Sequence, residues 1–235
     1  MLAIFKRELR AYFTGVIGYV FLVIYLAVAA TLFCYTTLFS MSAEISPYFT
    51  LMLIFSGIVL PLLTMKSFSE ERKTKTEQLL LTAPVSLGKM IMGKFLAAYT
   101  VFASAALLSS LYFLFLIPYA RLQYAILIGN ILSLLLVGFV FISIGLFVSA
   151  LTENQLSAAI GTIAIILGFL GIGFVNALLP SSYWARFIFD ALSIFTRFST
   201  FANGYFDLAS LVYYLTVGCL FLYLTFRVYD RRRFG

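Results

Sequence analysis

Residues 122–152, LQYAILIGNILSLLLVGFVFISIGLFVSALT, run for 31 positions without an Asp, Glu, Lys or Arg. A helix crosses the roughly 30 Å hydrocarbon layer of a bilayer in about 20 residues. The stretch lacks the alternation of a barrel strand, and a backbone in lipid must satisfy its own hydrogen bonds, so it reads as a transmembrane helix. Five more runs share the property: 11–43 (33 residues), 45–65 (21), 95–120 (26), 154–185 (32) and 208–226 (19). Together they predict an all-α integral membrane fold with six transmembrane helices in one domain, 1–235. The first run exceeds one span, so its helix is placed at Val16–Phe39.

The whole chain agrees with that local reading. Of 235 residues 63% are hydrophobic and 11% charged, with mean hydropathy +1.06, which excludes a soluble enzyme, a disulfide scaffold and a disordered regulator. There is no histidine, and Cys34 and Cys219 sit apart in apolar runs, so zinc, haem, iron–sulfur and triad chemistry lack their usual groups. No G-x-x-x-x-G-K-[ST] phosphate loop occurs, so ATP chemistry of that kind must lie elsewhere. The chain is expected to be non-catalytic and to hold no cofactor or metal of its own.

Lys and Arg set the orientation. With six spans, thirteen of the sixteen fall on one side, in 6–10, 66–94 and 227–233, leaving Arg121, Arg186 and Arg197 on the other. That positive-inside bias makes both termini and the 66–94 loop cytoplasmic. The formal charge of +7 follows from juxtamembrane contact with anionic lipid, and nucleic acid is not an expected partner. Ahead of the first span, Leu2, Phe5, Leu9, Tyr12 and Phe13 recur near helical spacing among charges, which predicts a short N-terminal interfacial helix. An ordinary charged lead-in is the plainer reading.

The loop KSFSEERKTKTEQLLLTAPVSLGKMIMGK, 66–94, holds the most specific signals. Ser67 with Glu70 and Thr74 with Glu77 match the S/T-x-x-E capping box, so a second helix is expected over 75–83, ending before Pro84, with a bend ahead of it. Leu79, Leu80 and Leu81 in a row need cover, from lipid or a partner's groove. Glu71 with Lys75 and Glu70 with Lys73 stand at pairing distance along a helix, each worth about 0.2–0.5 kcal/mol when exposed. A solvated helix end accounts for Glu70, Glu71 and Arg72 equally well on physics alone.

Ser69-Glu70-Glu71-Arg72, Thr76-Glu77-Gln78-Leu79-Leu80-Leu81-Thr82-Ala83-Pro84-Val85-Ser86 and Gly93-Lys94 together resemble the cytoplasmic loop of ABC-2 type transporter permeases. Lys6 to Phe13 and the stretch from Phe195 to Asp207 resemble the gliding-motility-associated branch of that family. The resemblance implies that the loop between spans 2 and 3 carries a coupling helix that docks on a separate P-loop ATPase. Glu70, Glu71, Arg72, Glu77, Leu80, Leu81 and Thr82 would form that ATPase-contact and coupling site, with ATP and Mg bound by the partner. It further implies a homodimer with a second copy of the permease, membrane lipid around it, room for an accessory subunit, and a bacterial cytoplasmic (inner) membrane. The family usually has Gly where this sequence has Lys75, so the bend is the point of departure.

The opposite side is read more coarsely. Between Pro180 and Asp207, residues including Tyr183, Trp184, Phe187, Phe189, Phe195, Phe198, Phe201, Tyr205 and Phe206 suit an interface, either as an aromatic belt or, by resemblance, as short outer helices between spans 5 and 6. Ala164 with Gly168, and Gly171 with Gly173, permit close helix approach in span 5. Pro61 is expected to kink span 2, and Asn130 and Asn176 to bond between helices. The spans carry no mid-membrane charge, which disfavours an ion-coupled carrier. An ABC exporter subunit is the leading function; the alternative is a membrane scaffold that anchors an ATPase without moving cargo.

Overall fold

The computed structural model describes residues 2–76, 86–119, 123–178 and 193–234. Helix α1 (Leu2–Thr14) precedes the first long helix, α2 (Val16–Phe33), which ends in a π-helical turn, Cys34–Phe39. Next come α3 (Ser46–Thr64) and its short continuation α4 (Lys66–Lys73). Then α5 (Leu87–Ser110) closes in a 3₁₀ turn, Leu111–Leu116. The chain continues as α6 (Tyr124–Leu151), α7 (Gln155–Leu178), α8 (Ile194–Ala202) and α9 (Leu208–Phe234). No strand occurs among the described residues, and six helices are long and apolar enough to cross a membrane.

Those six helices coincide with the six uncharged runs, the first over Val16–Phe39 as expected. The stretch quoted at the outset becomes α6, which packs against α3, α5, α7, α8 and α9 and forms the axis of the bundle. Its apolar residues lie all round the helix, as burial on every side requires, and its most apolar window is 67% buried against 28% for the first, fifth and sixth spans. Two glycines let neighbours approach this axis. A Cβ on Gly138 would run into the Phe102 ring, and one on Gly145 into Thr64 Oγ1.

Helix α1 forms where the amphipathic pattern predicts it and lies against α2 and α5. The Tyr12 hydroxyl donates to Leu63 O at 3.1 Å, and a Cβ on Gly93 would meet Ile4 at 2.9 Å. The chain ends, 66–76 and the start of α5 therefore gather at one basic end of the bundle. At the far end α8 packs against α6. Asn130 Nδ2 donates to Ala202 O at 3.1 Å, and the Tyr214 hydroxyl to Ile194 O at 3.0 Å. Phe198 and Phe201 are buried there while Tyr205 and Phe206 are exposed, so this part of the aromatic segment is packed helix followed by exposed rings. Tyr183, Trp184, Phe187, Phe189 and the Asn176 side chain lie outside the described residues.

Three local details add to the sequence reading. Helix α3 runs through Pro61, and its backbone ladder is interrupted at Met65, one turn beyond the proline. Ser67 is the second residue of α4 and does not cap it; the amides at the start of α4, those of Phe68 and Ser69, are taken by Ser149 of α6 instead. Of the span-5 glycines singled out in the sequence, Gly173 lies close to a neighbouring segment, with its Cβ position 2.9 Å from Ser193 Oγ, while Gly168 and Gly171 face open space.

Candidate functional site

The break at Met65 is held from outside the helix. Ser149 Oγ, fully buried on α6, accepts the Phe68 and Ser69 backbone N–H groups at 3.1 Å each and donates to Met65 O at 3.1 Å. Two acceptances and one donation use the full capacity of a hydroxyl. An inserted side chain is among the recognised causes of a helix break, and this one fixes α4 to the axis of the bundle.

Beyond the break, the three consecutive residues singled out in the sequence go to three places. Glu71 Oε1 lies 2.7 Å from Lys94 Nζ on α5. Lys94, only 2% exposed, also stands 3.4 Å from Glu8 Oε1 on α1, donates to Ser67 O at 2.8 Å and lies 5.1 Å from the Phe68 ring centre. A buried ammonium is tolerable only when paired, and two carboxylates from different helices meet that need. Arg7 closes the cluster from the solvent side, 2.7 Å from Glu8 and 3.8 Å from Glu71. One buried cation thus joins α1, α4 and α5.

Arg72 turns toward the opposite neighbour. Its Nη1 donates to Leu151 O at 2.7 Å, and its Nη2 lies 3.0 Å from Glu153 Oε1. Arg232, near the end of α9, donates to Ala150 O at 2.8 Å. Two guanidinium groups from different helices therefore cap the last carbonyls of α6, where the helix dipole is negative and carbonyls lack partners. Glu70 is half-exposed, 4.0 Å from Lys66, a surface pair of little energetic weight. A cavity of about 680 Å³ opens between α1 and α4, lined by Arg7, Glu8, Lys66, Glu70, Glu71 and Lys94 among others.

At the end of α4 the Thr74 hydroxyl donates back to Glu70 O at 2.8 Å, and Lys75, with φ +57, leaves the helical conformation. That left-handed conformation is the one glycine enters freely, so the chain bends at Lys75. Thr74–Thr76 is a turn, and the rest of the helix expected over 75–83 lies outside the described residues. The Glu71–Lys75 pair does not form: Lys94 takes the carboxylate, and the turn carries Lys75 off the helix surface. Glu77, Leu80, Leu81 and Thr82 lie outside the described residues. Sequence reasoning had Lys94 only as half of a Gly-Lys pair and passed over Glu8, Ser149 and Arg232. The available signal was Lys94's position as the last charge before a long apolar run; Ser149 gave none.

Among the described residues no group of His, Cys, Asp or Glu could hold a metal ion. No curated protein matches the chain. A family model does, that of the ABC-2 family transporter protein, over residues 27–232. The match takes in Ser149, Lys94 and the Glu70–Glu71–Arg72 triplet, while Arg7 and Glu8 precede it. Members of this family are membrane-spanning permease subunits of ABC transporters, normally non-catalytic, with ATPase activity in partner proteins. With six apolar helices and a family match across most of its length, the chain belongs to the ABC-2 transporter family as a multi-pass membrane subunit.

Proposed function

We propose that this chain is half of the permease of an ABC exporter, pairing with a second copy and coupling a separate P-loop ATPase to movement of cargo across the bacterial inner membrane. The basic end is then cytoplasmic, in keeping with its excess of Lys and Arg. Leu80 and Leu81 serve as apolar anchors on the ATPase, Glu77 and Thr82 as polar contacts beside them, and ATP with its Mg stays in that partner.

The observation that carries the reading is the anchoring of α4. Glu71 ties it to α5 and α1 through Lys94, Arg72 ties it to the end of α6, and Ser149 bridges its root. A push arriving at 77–82 would reach α4 and pass to three helices at once, which is what a coupling element requires. Glu71 and Arg72 are the transmitting residues, with Glu70 exposed to the partner.

The test uses the double variant Leu80→Asp/Leu81→Asp, co-purified from its native cells in mild detergent. Loss of a P-loop ATPase that accompanies the wild-type chain is the expected result; unchanged co-purification would overturn the docking assignment. Disruption of the Glu71–Lys94 link should lower transport per ATP hydrolysed while the ATPase still binds. A wild-type complex that hydrolyses ATP and moves nothing would identify the scaffold instead.

A further inference from the structure

The cavity between α1 and α4 is lined not only by charge but also by Ala11, Tyr12, Gly15 and Ile17. Ile17 also lines a second opening, a groove of about 220 Å³ between the start of α2 and the end of α3. The two meet on the opposite wall as well, since Met65 lines the groove and Lys66 the cavity. Every residue lining the groove is apolar. Phe21 and Leu63 are buried beneath it, while Val20, Ile24 and Leu62 are exposed along it, on two helices that span the membrane. From Val16 to Ile24 the groove follows about 12 Å of helix axis, most of the roughly 15 Å that the hydrocarbon of one leaflet occupies.

The charges at the head of this groove are unequally engaged. Among the described lining residues Arg7, Lys66 and Lys94 stand against Glu8, Glu70 and Glu71, with no net charge. Lys94 is spent on Glu71 and Glu8. Arg7 meets Glu8 through Nη2, and among the described residues its Nη1 and Nε donate to none. Lys66 and Glu70 reach solvent 4.0 Å apart, beyond hydrogen-bond distance, so each keeps its capacity for another partner. A guanidinium and an ammonium suit a phosphate. A simple anion would gain from Arg7 and Lys66 and lose against Glu70, whereas a ligand carrying both signs gains from all three.

An apolar groove along two spans, opening into cations and a carboxylate, calls for a hydrocarbon tail that ends in a zwitterion. We infer that groove and cavity together seat one aminophospholipid of the leaflet at the basic end. One tail lies between α2 and α3, the phosphate accepts from Arg7 and Lys66, and the primary ammonium donates to Glu70. Occupancy links Arg7 of α1 to Lys66 and Glu70 of α4, a removable tie between two helices that Lys94 already joins. The site needs neither ATPase nor cargo, so it stands apart from the permease reading.

The experiment places the full chain, without partners, in phosphatidylcholine nanodiscs holding a trace of lipid with a photoreactive diazirine on one tail, and maps the labelled peptides by mass spectrometry. The probes share their tails and carry ethanolamine, choline, which has no N–H, or glycerol, which has no cation. The ethanolamine probe should label 16–24 and 59–65 about two- to fivefold more than the choline probe, the worth of one exposed charge pair. Glu70→Gln should bring the ethanolamine probe down to the choline level and raise the glycerol probe above its level in the wild type. Arg7→Gln with Lys66→Gln should lower all three. Val20→Trp, which fills the groove from its exposed side, should abolish labelling of both segments, with a thermal midpoint close to wild type to show the fold is kept. Equal labelling by the ethanolamine and choline probes, labelling indifferent to Glu70→Gln, labelling spread evenly over all exposed helices, or full protection by soluble phosphoethanolamine at the probe's own concentration would each overturn the assignment.

Discussion

Lys94→Met tests the junction of α1, α4 and α5 directly. Methionine keeps an unbranched stem but removes the charge that lies 2.7 Å from Glu71 and 3.4 Å from Glu8. In a medium of effective dielectric near 20, attractions at those separations are about 6 and about 5 kcal/mol before desolvation is subtracted. Desolvation offsets most of this, yet deleting one member of a buried pair costs about 3–5 kcal/mol, because the remaining charge is stranded. Arg7 stays 2.7 Å from Glu8 and is 55% exposed, so it recovers part of the loss on that carboxylate. The expected cost is therefore near the lower end, about 3 kcal/mol, or about 6–12 °C in the thermal midpoint of a chain of this size. The triple variant Glu8→Gln/Glu71→Gln/Lys94→Met removes all three charges and should recover most of that drop, since neutral replacement of a whole buried cluster is often tolerated. Midpoints of the three proteins in one mild detergent, by circular dichroism, decide the matter. A single variant within about 2 °C of wild type, or a triple variant as unstable as the single, would refute the reasoning.

Ser149→Ala leaves two backbone donors and one acceptor at the Met65 break without their bridge and should cost about 3 kcal/mol, with faster amide exchange at Phe68 and Ser69 than elsewhere in α4. Lys75→Gly relieves the left-handed strain and should raise stability slightly, whereas Lys75→Val should lower it by about 1–2 kcal/mol in the same melting assay. Gly138→Ala forces the Phe102 ring aside and should destabilise by about 1–3 kcal/mol, while Gly168→Ala, facing open space, should be neutral or stabilising in parallel melts. The Asp207 carboxyl is held below the usual range by the Ser210 hydroxyl and by the Ala209 and Ser210 amides at the start of α9. Its contribution is present above the ordinary value near about 3.9 and is lost as pH falls through the lower folded value. Asp207→Asn should lower the melting midpoint at neutral pH and leave it almost unchanged below the folded value, so that the midpoint no longer varies across that acidic window.

The spans were legible because lipid imposes one requirement on about 20 residues at a time, and an uncharged run such as 122–152 meets it without reference to any other part of the chain. The basic end was legible for a similar reason, since Lys and Arg are counted by position alone. What escaped depended on pairs far apart in sequence. Glu71 looked like a helix-surface partner for Lys75, an interaction worth a few tenths of a kcal/mol. It serves instead the buried Lys94, for which being unpaired would cost far more. Ser149 is one serine in an apolar run, and only the fold reveals that α4 lacks partners opposite it. The small residues of span 5 suggested contact by their spacing, but spacing says which side can be approached and not whether anything approaches it.

Both clamps on the end of α6 are arginines, yet they arrive from distant parts of the sequence: Arg72 from α4, after span 2, and Arg232 from the last turn of α9. Their grips are on adjacent carbonyls, Leu151 and Ala150, so the two share a single anchorage. A tug on the chain's tail is then felt at the same bolt as a tug on the 66–76 segment. Cutting the tail ahead of Arg232 would remove one of the two fastenings without altering any residue inside the bilayer, and would leave the central helix steered by Arg72 alone.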